Sequence, residues 1–198
     1  MKQTPYKAAK NVFFEVSMEK IMFASDLHGS GDFTSSLVTY FNYEGADRLV
    51  LLGDILYHGP RNPLPQGYAP KEVISFLTPL ADRILAVRGN CDTEVDELVL
   101  PFPLVDYAVI ALDDRMIHLS HGHKYGEDNP PPMKKGDILI GGHTHVAKKA
   151  VKDGFVYLNP GSVSLPKERT PQGYILFDGK TFEFKHFGGV TYDSYTIE

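Results

Sequence analysis

Ser25-Asp26-Leu27-His28-Gly29-Ser30 comes directly after the apolar run Lys20-Ile21-Met22-Phe23-Ala24, which reads as a short buried strand. Gly29 and Gly31 stop that strand at once, so an Asp-x-His pair falls at its carboxyl end. Side chains two apart on a strand point to one side, which would let Asp26 and His28 grip a single ion with a carboxylate oxygen and an imidazole nitrogen. Taken alone, the pair also reads as a capping Asp beside a loop histidine. The residues downstream decide between the two.

Strand and helix patterns alternate through the first half. Phe33, Leu37 and Phe41 recur at helical spacing, with Asp32 as the expected N-cap, and Arg48-Leu49-Val50-Leu51-Leu52 is the next strand. A loop rich in proline and glycine runs from Tyr57 to Ala69. Pro70 then opens a second helix with Val73, Ile74 and Leu77 on its apolar face, and Arg83 to Val87 forms a third strand. This β-α-β-α-β order predicts right-handed crossovers and a parallel core. Beyond Pro101 short strands are expected at Tyr107 to Leu112, Arg115 to Ser120, Asp137 to Ile140, Lys148 to Lys152, Phe155 to Leu158, Gly173 to Phe177 and Thr181 to Phe187. Asp113-Asp114, Asp153-Gly154 and Asp178-Gly179 mark the hairpin turns. These strands predict a mostly antiparallel or mixed sheet packed on the first half. Glu127 to Pro132 reads as a solvated loop.

Composition narrows the function. The 198 residues carry a formal charge of −5, and 42% are hydrophobic, enough for one sizeable core. The acidic balance offers no footprint for long nucleic acid or for an anionic membrane. Leu98 to Leu112 is broken by Pro101, Pro103 and Asp106 and falls short of the roughly 20 residues a membrane span needs, so it reads as core strand. The single cysteine, Cys91, fits a reducing compartment, and a cytoplasmic location is expected. Asn11 to Val16 is too short and interrupted for the apolar heart of a signal peptide. Residues 1–17 are expected to be an N-terminal extension that the fold does not need, and 18–198 a single domain.

Ligand-type residues end five strands: Asp26 and His28, Gly53-Asp54, Gly89-Asn90-Cys91-Asp92, His121-Gly122-His123, and Gly142-His143-Thr144-His145. Glycine beside a ligand permits tight turns and close backbone approach. In this order the set resembles the motifs of the calcineurin-like metallophosphoesterases. Leu52-Gly53-Asp54, followed by His58-Gly59-Pro60-Arg61-Asn62, together with Gly89-Asn90-Cys91-Asp92, resembles in particular the small bacterial YfcE-type phosphodiesterases. The resemblance runs from about Met18 to the C-terminus. It implies an α/β (α+β) fold, a four-layer αββα sandwich of two mixed β-sheets flanked by helices, with a dinuclear centre at the sheet ends. It further implies that Asp26, His28 and His145 hold one metal, that Asn90, His121 and His143 hold the second, and that Asp54 bridges them.

Carboxylate, imidazole and amide oxygen together suit Mn²⁺, with Fe, Zn, Ni and Mg as alternatives, and nothing here resembles a structural Cys-rich zinc site. Two such ions could hold a bridging hydroxide and clamp a phosphoryl oxygen. Two divalent ions, two carboxylates and one hydroxide leave a net positive pocket suited to a small phosphoester. Arg61 and His58 are candidate substrate-binding residues, although Arg61 also reads as a surface arginine. Cys91 stands where many members of the superfamily have a histidine that helps protonate the leaving oxygen. It is either a weak catalytic proton donor or a small buried filler, and His123 is either its replacement or a second partner of the ligands. The function expected is metal-dependent hydrolysis of small or aryl phosphodiesters by a homo-oligomer, dimer or tetramer. A phosphomonoesterase is the alternative, and a non-catalytic scaffold such as the retromer subunit with this fold is disfavoured by the complete ligand set.

Overall fold

The computed structural model describes residues 19–112 and 114–197. The expected extension, Met18 and the turn residue Asp113 lie outside them. Strands β1 (Ile21–Ala24), β2 (Arg48–Leu51), β3 (Ile84–Val87) and β4 (Leu104–Val105) pair in parallel, with Ala24 beside Leu51 and Leu51 beside Ala86. Their crossovers contain α1 (Gly31–Tyr43), α2 (Pro70–Leu77) with a 3₁₀ turn (Thr78–Arg83), and α3 (Glu94–Val99). Parallel neighbours need such crossovers, and the crossovers bring every strand's carboxyl end to one edge.

Alternation along β1 divides the core. Met22 and Ala24 pack with Leu37 and Phe41 of α1 and Val73 and Leu77 of α2. Ile21 and Phe23 face a second cluster with Val50, Ile117 and Ile140 between the sheets. The second sheet is mixed, in the order β5-β6-β7-β9-β8, built from β5 (Ala108–Leu112), β6 (Arg115–Leu119), β7 (Asp137–Ile140), β8 (Ala147–Val151) and β9 (Phe155–Pro160). Two mixed sheets flanked by helices are the sandwich that the motifs imply.

Several local expectations differ. The C-terminal strands β10 (Gly173–Phe177), β11 (Thr181–His186) and β12 (Thr191–Thr196) do not extend the second sheet. They rejoin the first, where β10 pairs antiparallel with β1, and strand order runs β12-β11-β10-β1-β2-β3-β4. Local pattern cannot choose between two sheets that both offer β10 an apolar partner. The N-cap of α1 is Ser30, whose side chain accepts from Phe33 N, and Asp32 lies inside the first turn. Leu98 to Leu112 is no continuous strand, being divided among the end of α3, β4 and β5, because the two prolines break the ladder. The Asp153-Gly154 and Asp178-Gly179 turns join antiparallel pairs as expected, and β5 and β6 also pair antiparallel.

Candidate metal centre

β1 ends at Ala24, so strand alternation does not aim Asp26 and His28, and that expectation is corrected. The chain leaves β1, β2 and β7 in left-handed backbone instead. Asp26, His28, Asp54, His143 and His145 all have positive φ, between 48° and 69°. Non-glycine residues pay for this conformation, and such outliers persist where surrounding contacts hold them. Here the contacts are backbone hydrogen bonds between neighbouring loops, Asp26 N to Gly53 O (3.1 Å) and His28 N to Asp54 O (2.8 Å). Glycine is required where these loops touch, since a Cβ on Gly89 would lie 2.1 Å from Asp54 Oδ1.

Five side chains converge there, all buried: Asp26, His28, Asp54, His121 and His145. Asp26 Oδ1 is 3.3 Å from His145 Nε2 and 3.6 Å from His28 Nε2. Asp54 Oδ2 is 3.7 Å from His28 Nε2 and 3.4 Å from His121 Nε2, so this oxygen stands between the two imidazoles. Each ring is oriented by a backbone carbonyl that accepts from Nδ1: Tyr57 O for His28 (2.9 Å), Leu52 O for His121 (2.6 Å) and Leu165 O for His145 (2.7 Å). A carbonyl only accepts, so Nδ1 carries the proton and every Nε2 turns its lone pair inward.

Acceptors therefore face acceptors. His28 Nε2 and His145 Nε2 are 3.1 Å apart, His121 Nε2 is 3.1 Å from Asn90 Oδ1, and buried Asp26 Oδ1 has no hydrogen-bond partner. Divalent cations would resolve all three contacts, and the donor set fits them. Where no cation accepts these lone pairs a proton on Nε2 takes its place, and the same crowding then shifts the proton affinities. Burial alone would raise Asp26, but the His145 and His28 imidazoles hold its carboxyl well below the usual range. Burial disfavours a charge on His121, yet its Asp54 hydrogen bond and the Asp26 and Asp54 charges push it up to about 9.

Asn90 and His143 stand at the rim of the cluster, on a cavity of about 460 Å³ that Asp54, Cys91, His145 and Arg61 also line. Cys91 is buried, donates its backbone N–H to Asp54 Oδ1 (2.8 Å), and its thiol lies within 4.8 Å of the His28 and Asp54 ligand atoms. Burial, then the Asp54 charge, push that thiol up to about 12, so it stays protonated. His58 lies off the cavity wall, its ring edge-on to Tyr57 and Tyr68. His123 lines a neighbouring cavity of about 580 Å³, with its ring centre 5.4 Å from that of His121. His118, on β6, stands apart from the cluster: it is buried and paired with Asp137 at 3.1 Å.

Residues 19–181 match the calcineurin-like phosphoesterase superfamily domain. The chain belongs to that superfamily. It is 44% identical over 162 residues to phosphodiesterase YfcE of Escherichia coli K12, covering 81% of this chain and 88% of that protein. The solved E. coli Yfce phosphoesterase superposes with a TM-score of 0.87 at 40% identity, over 90% of this chain and all of that one. Vacuolar protein sorting 29 of Cryptosporidium parvum matches at a TM-score of 0.54 and 18% identity, over 83% of this chain and 88% of that one, a likeness of fold alone. This superfamily member is a hydrolase of phosphoric esters.

Three further side chains hold the ligand-bearing loops in place. Asp92 accepts three backbone N–H groups, from Asp54 (2.8 Å) and Gly89 (2.7 Å) at Oδ2 and from Ile55 (2.8 Å) at Oδ1, and so ties the β2 and β3 loops together. Ser162 and Ser164 donate hydroxyls to Asp26 O at 2.7 and 3.0 Å. Asp92 was visible inside Gly89-Asn90-Cys91-Asp92, and Ser162 at the end of the Asn159-Pro160-Gly161-Ser162 turn, which the resemblance implies supports the metal-binding edge, whereas Ser164 carried no signal.

Proposed function

We propose that this hydrolase is a metal-dependent phosphodiesterase acting on small or aryl phosphodiesters. The observation that carries this reading is the cluster of inward-facing lone pairs at the floor of a cavity with Arg61 on its wall. Asp26, His28 and His145 would hold one divalent ion and Asn90, His121 and His143 a second, with Asp54 between them. When bound, two such ions supply a hydroxide nucleophile at neutral pH and a clamp on the phosphoryl oxygens. The protein's residues do the rest. Arg61 binds a non-bridging phosphoryl oxygen, the carbonyls behind His28, His121 and His145 keep the rings in the ligating tautomer, and Asp92 fixes the Asp54 loop. His58 braces the Arg61 loop, its carbonyl accepting from Asn62 Nδ2 at 2.9 Å and its ring set edge-on to Tyr57 and Tyr68.

Mn²⁺ is the ion we favour, since an imidazole-rich set suits it better than Mg²⁺. We also infer a cytoplasmic homo-oligomer. The buried free thiol fits a reducing compartment. In α3, Leu98 is 83% exposed beside exposed Val95 and Val99, an apolar strip that a second copy would cover. Light scattering on the purified protein checks the oligomer. The function is tested by reconstituting chelated protein with Mn²⁺ and comparing bis(4-nitrophenyl) phosphate with 4-nitrophenyl phosphate. Higher kcat/KM for the diester is expected, and preference for the monoester would make the protein a phosphatase.

A further inference from the structure

Two cations on the wall of the metal-site cavity have nothing to bind among the described residues. Arg61 comes from the loop between β2 and α2, and Lys167 from the loop between β9 and β10. Neither side chain makes a hydrogen bond or ion pair with another described residue. Arg48, Arg83 and Arg88, by contrast, are each tied to a carbonyl or a carboxylate. An unpaired cation on an open surface is ordinary. Two that line one cavity with a candidate metal cluster at its floor are placed for an anion.

The base of Lys167 is built into the site. Its backbone N–H donates to His145 O at 2.9 Å, while Leu165 O accepts from His145 Nδ1 at 2.7 Å, so the segment clasps one ligand histidine from both ends. Thr170 closes the loop by donating its N–H and hydroxyl to Lys167 O at 3.0 and 2.9 Å. The two residues between, Glu168 and Arg169, have φ of 52° and 62°. Among the described residues they are the only left-handed non-glycines outside the candidate ligands. Two consecutive strained residues hold Lys167 on the metal cavity while Glu168 lines the neighbouring one.

Charge then points to the kind of substrate. Two divalent ions, Asp26, Asp54 and one hydroxide leave about one positive charge, which the phosphoryl group of a simple diester already balances. Arg61 and Lys167 add two more with no acidic residue but Asp54 on the same wall. We propose that Lys167 is a substrate-binding residue that selects phosphodiesters carrying a second anionic group, a carboxylate or phosphate, on the arm that is not the leaving group. The inference rests on the phosphodiesterase reading and names its substrate class.

Two 4-nitrophenyl phosphodiesters with the same leaving group test it, one with a propyl arm and one with a 2-carboxyethyl arm, on Mn²⁺-reconstituted protein. The wild type should favour the carboxylate arm by about tenfold in kcat/KM, mainly through KM, and added salt should shrink the preference. Lys167→Ala should remove most of that preference and Lys167→Glu should reverse it, whereas Arg61→Ala should weaken both substrates together. Binding without turnover gives an independent readout: calorimetry should show 2-carboxyethylphosphonate binding more tightly than propylphosphonate to wild type and equally to Lys167→Ala. Turnover of both diesters with no arm preference, or an equal loss on both in Lys167→Ala, overturns this inference alone. Failure of the wild type to cleave either diester overturns the phosphodiesterase reading with it.

Discussion

Asp54 divides its carboxylate between two tasks. Oδ1 accepts the Cys91 N–H at 2.8 Å, and Oδ2 lies between His28 and His121. Asp54→Asn keeps the shape but removes the charge that would hold two cations together, so turnover should be abolished and bound metal should fall. Elemental analysis beside kinetics checks this, and near-normal activity at saturating metal would count against a shared ligand. Next to it, Cys91 offers a thiol whose proton is held too tightly to be a good general acid, with a pKa pushed up to about 12 by burial and then by Asp54. An aryl leaving group departs as a stable anion, but an alkoxide needs a proton, and general acid catalysis is worth about 10²–10⁴-fold. Cys91→His should therefore raise kcat/KM for a nucleotide diester selectively over an aryl diester at equal metal occupancy. A uniform change in both substrates would place Cys91 outside proton transfer.

At the scale of an element, the β2 and β3 loops are joined chiefly through Asp92. In Asp92→Asn one amide nitrogen must face a backbone N–H, which should cost roughly 2–4 kcal/mol of stability and loosen metal binding through the Asp54 loop. Denaturant unfolding with and without Mn²⁺ measures both. In the second sheet, Asp137 accepts from Met116 N (2.9 Å) and Lys134 N (2.8 Å) and pairs with His118, whose ring also meets the Tyr107 hydroxyl. Burial would raise this carboxyl, but the Met116 N–H, His118 and the Lys134 N–H lower it below 3.8. A carboxyl lowered in the folded state stabilises above its unfolded pKa, and that contribution is lost as pH falls through the folded value. Metal-free protein should thus lose stability on acidification below about pH 4, and Asp137→Asn should flatten that part of the acid limb in a pH series of denaturant midpoints.

For the whole molecule, metal binding and folding are linked, because the candidate ligands come from five separate loops that meet only in the native chain. A cation at 100 times its dissociation constant should stabilise the protein by about 2.7 kcal/mol. Chelation should lower Tm by several degrees and remove activity, and Mn²⁺ should restore both better than Mg²⁺. Thermal melts beside the rate assay check this, and full recovery in Mg²⁺ alone would overturn the preference.

The apolar runs before Ser25, Gly53, Arg88, Ser120 and Gly141 were legible as strands without any tertiary information, because a buried strand needs continuous apolar residues and glycine must follow where backbones crowd. The order of the ligand motifs at those strand ends was legible for the same reason, and with it the superfamily. How Asp26 and His28 come to face one point was decided only by the fold, since left-handed backbone held by hydrogen bonds from neighbouring loops has no local pattern. The same holds for Ser162, Ser164 and Lys167, which reach the site from a loop well over a hundred residues after β1, because β10 returns to pair with that strand. β12, with Tyr, Asp, Ser and Thr at an exposed edge, lacks the apolar alternation that reveals a strand. A sequence records which residues can be buried or can ligate, but only long-range pairing determines which of them share a wall.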